Sequence, residues 1–168
     1  EYVHQARVGL RRLRSALGLF KGVARPPAEV LAGLRWSASE LGQARDAEVL
    51  VHDTLPRVPA PGSAEIDWKA LLAAAALAAE QSRKQAVHVV QDPRHAGWQL
   101  ALMAWVWGLA GATPAEESLS AFSARQLRRL KKRLVACGTR LPGTDAADRH
   151  ETRIAAKRLR YATELLGT

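Results

Sequence analysis

A chain of 168 residues with 48% apolar content suits one folded domain with its own core and argues against a disordered chain. One cysteine, Cys137, excludes an internal disulfide framework and suits a reducing compartment, so a cytoplasmic location is expected. The net charge of +9 calls for an anionic partner.

Period-2 alternation is absent and Ala, Leu, Arg, Glu and Gln dominate, which predicts an all-α chain. A first helix is expected from Tyr2 to about Val23, stopping before Pro26-Pro27. At 100° per residue, His4, Arg7, Arg11 and Arg14 share one stripe, while Leu10, Leu13, Leu17 and Phe20 share another. Like charges three or four residues apart repel by about 0.2–0.5 kcal/mol per pair, so folding alone does not ask for the basic stripe. A second helix runs from Pro27 towards Asp53 and is ended by Pro56. Trp36, Leu41 and the Val49-Leu50-Val51 group are its expected buried side, and Arg45-Asp46 reads as an ion pair that orients it.

Residues 55–67 hold three prolines and a glycine and read as a linker. Asp67 is the expected cap of a third helix from Trp68 to about Val90. Asp92 then caps a fourth, with Pro93 in its first position and a packing stripe of Trp98, Leu102, Trp105 and Leu109. The apolar run from Leu100 to Ala112 is 13 residues long, short of the roughly 20 that span a bilayer. A buried helix is expected there, and no membrane partner. A turn at 111–114 leads to a fifth helix from about Ser118 to Ala136, ended by Gly138. Leu127, Leu130 and Leu134 line one side of it; Arg125, Arg128, Arg129, Lys132 and Arg133 occupy the other. A Gly/Pro loop at 141–144 precedes an N-cap at Asp145 or Asp148 and a last helix reaching Leu166.

The charge is unevenly spread. Residues 1–25 carry six basic groups against one acid, and residues 125–160 twelve against three. Residues 26–124 carry seven against eleven. Solubility needs no such segregation, whereas a polyanion site produces it. The two basic ends are also alike. A shift of 146 residues aligns His4 with His150, Arg7 with Arg153, Val8 with Ile154 and Arg11 with Lys157. It also aligns Arg12 with Arg158, Leu13 with Leu159 and Arg14 with Arg160. Helical spacing alone would match leucines; it would not place a histidine at the head of the same basic stripe twice.

Three blocks, HQARVGLRRLRSAL (4–17), LGQARDAEVL (41–50) and HETRIAAKRLRYATELL (150–166), resemble the CHAD domains, the conserved histidine α-helical domains. The resemblance implies a helical bundle of two halves related by a pseudo-twofold axis, with a basic central cavity or groove between them. The first half is expected over about 1–112 and the second over 113–168, which looks truncated, since family members continue past the second motif helix. The start at Glu1, without methionine, is likewise the start expected of an excised domain. The implied ligand is inorganic polyphosphate, with polyphosphate granules as a possible location, and some relatives are fused to a triphosphate-tunnel enzyme domain. Carried over by position, the binding residues are His4, Arg7, Arg11, Arg12 and Arg14, and His150, Arg153, Lys157, Arg158 and Arg160. Lys21, Arg125, Arg128, Arg129 and Lys132 join them from the neighbouring basic segments.

Polyphosphate offers closely spaced anions and no bases, so it needs cations at short intervals, and the arginine fork suits its oxygens. Histidine ordinarily gains its charge near pH 6.5, so affinity is expected to rise as pH falls. Nucleic acid is a rival ligand, ranked second because the basic faces carry almost no aromatic groups apart from Tyr161. An accessory role in a phosphate-processing enzyme is the other rival. The chain itself has no P-loop, no HExxH and no CxxC, so no catalysis, metal or cofactor is expected.

Overall fold

The computed structural model describes residues 2–59, 67–110, 117–140 and 145–167, and all regular structure among them is helical. The helices are α1 (Tyr2–Phe20), α2 (Ala28–Val49), α3 (Trp68–Gln91), α4 (Pro93–Leu109), α5 (Leu119–Gly138) and α6 (Ala146–Leu166). The expected linker core (60–66) and the turns at 111–114 and 141–144 lie outside the described residues. No described helix is long and apolar enough to cross a membrane.

Helix starts follow local chemistry. Asp67 accepts from Ala70 N at the head of α3, Ser118 from Ala121 N at α5, and Asp145 from Ala147 N and Asp148 N at α6. Each side chain satisfies amides that the first turn leaves without a helical carbonyl. α1 ends three residues earlier than expected, in a turn where Val23 N and Ala24 N both bond Phe20 O. α2 gives way to a π turn (Leu50–Thr54) and a 3-10 turn (Leu55–Arg57).

The chain forms two compact units: Glu1–Arg11 with Pro27–Trp107, and Arg12–Pro26 with Gly108–Thr168. α1 therefore contributes its first part to one and its second part to the other. In the first unit α2 supplies the buried stripe Val30, Leu34, Ser37, Leu41 and Ala44, alternating steps of four and three. Ser37 is fully buried and satisfied: it accepts from Trp98 Nε1 at 2.9 Å and lies 3.0 Å from His95 Nδ1. Trp98 fits there because Gly33 has no Cβ; an added one would overlap Trp98 Cβ and Cγ. In the second unit Leu19, Phe122 and Ala162 form a core cluster, joined by Leu127, Leu130 and Phe20, whose ring stacks on Phe122 at 5.0 Å.

Three expectations need correction. α4 is not a buried helix: Trp98 is buried, but Leu100 and Met103 are 64% exposed and Trp107 is 84% exposed. Its sequence is apolar all round, and among the described residues only the Trp98 side is covered. Leu50 is 43% exposed: nine residues past Leu41 at 100° per residue, it lies on the side of the helix opposite the buried stripe. Arg45 pairs with Glu48 at 3.1 Å rather than with Asp46. Adjacent helical residues point about 100° apart, whereas residues three apart are neighbours.

Candidate polyanion-binding site

The second unit holds a cavity of about 640 Å³ lined by five cations: Arg14, Lys21, Arg129, Arg133 and Arg158. Helical spacing brings them together. Arg14 and Gly18 are four apart on α1, with Lys21 in the turn just after it; Arg129 and Arg133 are four apart on α5, as are Arg158 and Ala162 on α6. The remaining lining is small or apolar: Ser15, Gly18, Leu19, Leu130 and Ala162. Leu19 and Ala162 belong to the core cluster, so the same packing that folds this unit sets the positions of the arginines.

Among the described residues, no carboxylate lies within salt-bridge distance of Arg14, Lys21, Arg129 or Arg158. Arg133 is the exception, with Nη2 3.5 Å from Glu151 Oε1. Glu151 is held more closely by Arg140, at 2.8 Å. Arg140 also reaches Cys137 Sγ at 3.7 Å and Asp148 at 4.0 Å. Its hydrogen bonds to Cys137 and then Glu151 push its guanidinium above the ordinary arginine value.

The other basic residues expected to bind are placed differently. Arg12 and Arg160 share Glu164, at 3.7 and 3.4 Å. Arg125 is forked onto Glu117, with Nε donating at 3.0 Å, and this bond holds the Glu117 carboxyl below its usual range. Arg128 donates to Ala124 O within its own helix. His150, Arg153 and Lys132 are exposed and Lys157 is half-buried; none of the four lines the cavity. In the first unit His4 and Arg11 are exposed, while Arg7 is half-buried and donates to Gly42 O and to Asp46 Oδ1, the latter at 3.0 Å. The LGQARD block thus holds Arg7 in place by one carbonyl and one carboxylate.

The CHAD domain profile matches residues 1–168. The chain belongs to the CHAD family. This CHAD domain is similar to the crystal structure of the CHAD domain from the plant Ricinus communis, with a TM-score of 0.88 and 39% identity. That likeness covers 99% of the present chain and 55% of the plant chain, so the CHAD domain described above spans about half the length of its plant relative. No match was found among curated proteins.

Of the residues expected to bind polyphosphate, Arg14, Lys21, Arg129 and Arg158 line the cavity. Arg133, which was not among them, lines it too, and its spacing of four from Arg129 was there to be read. The sequence held no signal for the small residues Ser15, Gly18 and Ala162 that leave the cavity its room.

Proposed function

We propose that this CHAD domain binds inorganic polyphosphate as a non-catalytic module, with the cavity of the second unit as its main anion site. The single observation that carries the reading is a concave space walled by five cations, four of which have no acidic neighbour among the described residues. Gathering like charges without counter-ions opposes folding, so a ligand is the reason to keep them. Arg14, Arg129 and Arg158 each offer a planar fork to a pair of non-bridging oxygens, and Lys21 a mobile point charge. Within the same unit, the exposed residues His150, Arg153 and Lys132 and the half-buried Lys157 extend the basic surface along which a long chain can run. Arg7, Arg12, Arg125 and Arg160 already face carboxylates and contribute less.

The non-catalytic part of the reading rests on the lining itself, which carries neither a carboxylate nor a histidine to hold a metal or move a proton. Support for polyphosphate over nucleic acid comes from the same set of residues: arginines and small aliphatic groups, with no ring for a base to stack on. The test is a direct titration with polyphosphates of several lengths at two salt concentrations, followed by competition. Polyphosphate should displace DNA or RNA readily, and nucleic acid should displace polyphosphate poorly. The reverse order would assign the site to nucleic acid, and release of orthophosphate by the purified domain would make it an enzyme.

A further inference from the structure

Of the five cavity cations, Arg133 alone faces a carboxylate among the described residues, and that carboxylate comes from the basic motif helix itself. Glu151 on α6 has two guanidinium neighbours on α5 and the turn after it, and treats them unequally. Arg140 bonds Oε2 at 2.8 Å, a full charge-assisted hydrogen bond. Arg133 stands 3.5 Å from Oε1, close enough for attraction but too far for a good hydrogen bond. Both partners of that looser contact are about half exposed, 53% for the Arg133 side chain and 44% for Glu151. Arg133 can therefore leave at little cost, and Glu151 would keep Arg140 when it does.

We infer that Glu151 is a resident counter-ion that parks Arg133 at the cavity wall and hands it over to an entering polyanion, thereby lowering and tuning the affinity of the site. The inference rests on the polyphosphate reading and concerns its regulation. The internal repeat supplies a comparison within the same chain: the position equivalent to Glu151, 146 residues earlier, is Gln5. The helix accepts an uncharged side chain of the same shape at that register. The carboxylate is then a feature of the second repeat alone, the one whose helix packs against α5 and its arginines.

The exchange has a definite energetic sign. Without Glu151, Arg133 enters the complex carrying only mobile salt ions, which it releases. With Glu151 it must first break an ion pair of the kind that contributes little at a surface, so the expected difference is about two- to fivefold in affinity. The salt dependence should steepen in parallel, by up to about 0.7–0.9 in the log–log slope for one added cation.

The experiment measures binding of long-chain inorganic polyphosphate to the whole domain, with E151Q, R133Q and the double variant, each checked for helicity by circular dichroism. E151Q should bind about two- to fivefold more tightly than wild type, and the gain should vanish in the R133Q background. A gain that persists without Arg133 overturns the inference, because it would reflect only the loss of a negative charge near the site. Equal affinity of E151Q and wild type overturns it as well. R140Q gives an independent arm: leaving Glu151 to Arg133 alone should weaken binding, and should not do so once Arg133 is gone. Wild-type protein that fails to bind polyphosphate at all removes the functional reading together with this one, a result distinct from every other outcome.

Discussion

Replacing Arg14, Arg129 and Arg158 together by glutamine removes three cations from the cavity and keeps three good helix formers in place. Each guanidinium that neutralises a phosphate of a single-stranded polyanion adds about 0.7 to the slope of log affinity against log salt. Between 50 and 200 mM salt one such cation accounts for about 2.6-fold, and three for about 20-fold. The variant should therefore lose about 20-fold more affinity at the lower salt than at the higher, with the slope reduced by about 2. Fold stability should not fall, because none of the three faces a carboxylate among the described residues, and relief of like-charge repulsion acts in the opposite direction. Fluorescence anisotropy with end-labelled polyphosphate at several salt concentrations gives the slope, and thermal melting gives the stability. An unchanged slope would place the ligand elsewhere. A large drop in melting temperature would make the three arginines part of the fold.

Three further outcomes test the framework around the site. Gly33→Ala should destabilise by about 1–3 kcal/mol in urea titrations, since the new methyl overlaps Trp98; a gain of about 1 kcal/mol, the ordinary helix preference for alanine, would show the contact to be harmless. Arg7→Gln should cost about 1 kcal/mol by releasing Gly42 O and Asp46, with polyphosphate affinity little changed; a loss of affinity at full stability would return Arg7 to the ligand. The lowered carboxyl of Glu117 stabilises the fold above its unfolded value of 4.5, and that contribution is lost as pH falls through the lower folded value. The difference in melting temperature between wild type and Glu117→Gln should therefore stay constant from neutral pH to about 5 and shrink only in stronger acid. A difference that disappears near pH 6 would contradict the Glu117–Arg125 bond.

Much of the fold was legible because its signals are local. Asp67 caps the helix it was expected to cap, and Asp145 is one of the two caps expected for the last helix, since a cap needs only the next two or three amides. The repeat, and through it the family, was legible because a register of residue types survives without any knowledge of packing. The exposed face of α4 was not legible: an apolar helix announces that something can cover it, and composition does not say whether the covering element is there. The exposure of Leu50 was legible, by contrast: nine residues past Leu41 is half a turn away from the buried stripe of α2.

The linear order of residues determined that this chain is helical, that its basic residues lie in stripes, and that two of those stripes are copies. Only the tertiary structure decided which arginines remain free. Arg7 and Arg14 lie on one stripe of one helix, yet Arg7 meets Asp46 from α2 while Arg14 meets none among the described residues. The spacing of charges along a helix is fixed by its own geometry. Their neutralisation depends on carboxylates brought in from elsewhere in the chain, and no period in the sequence records that.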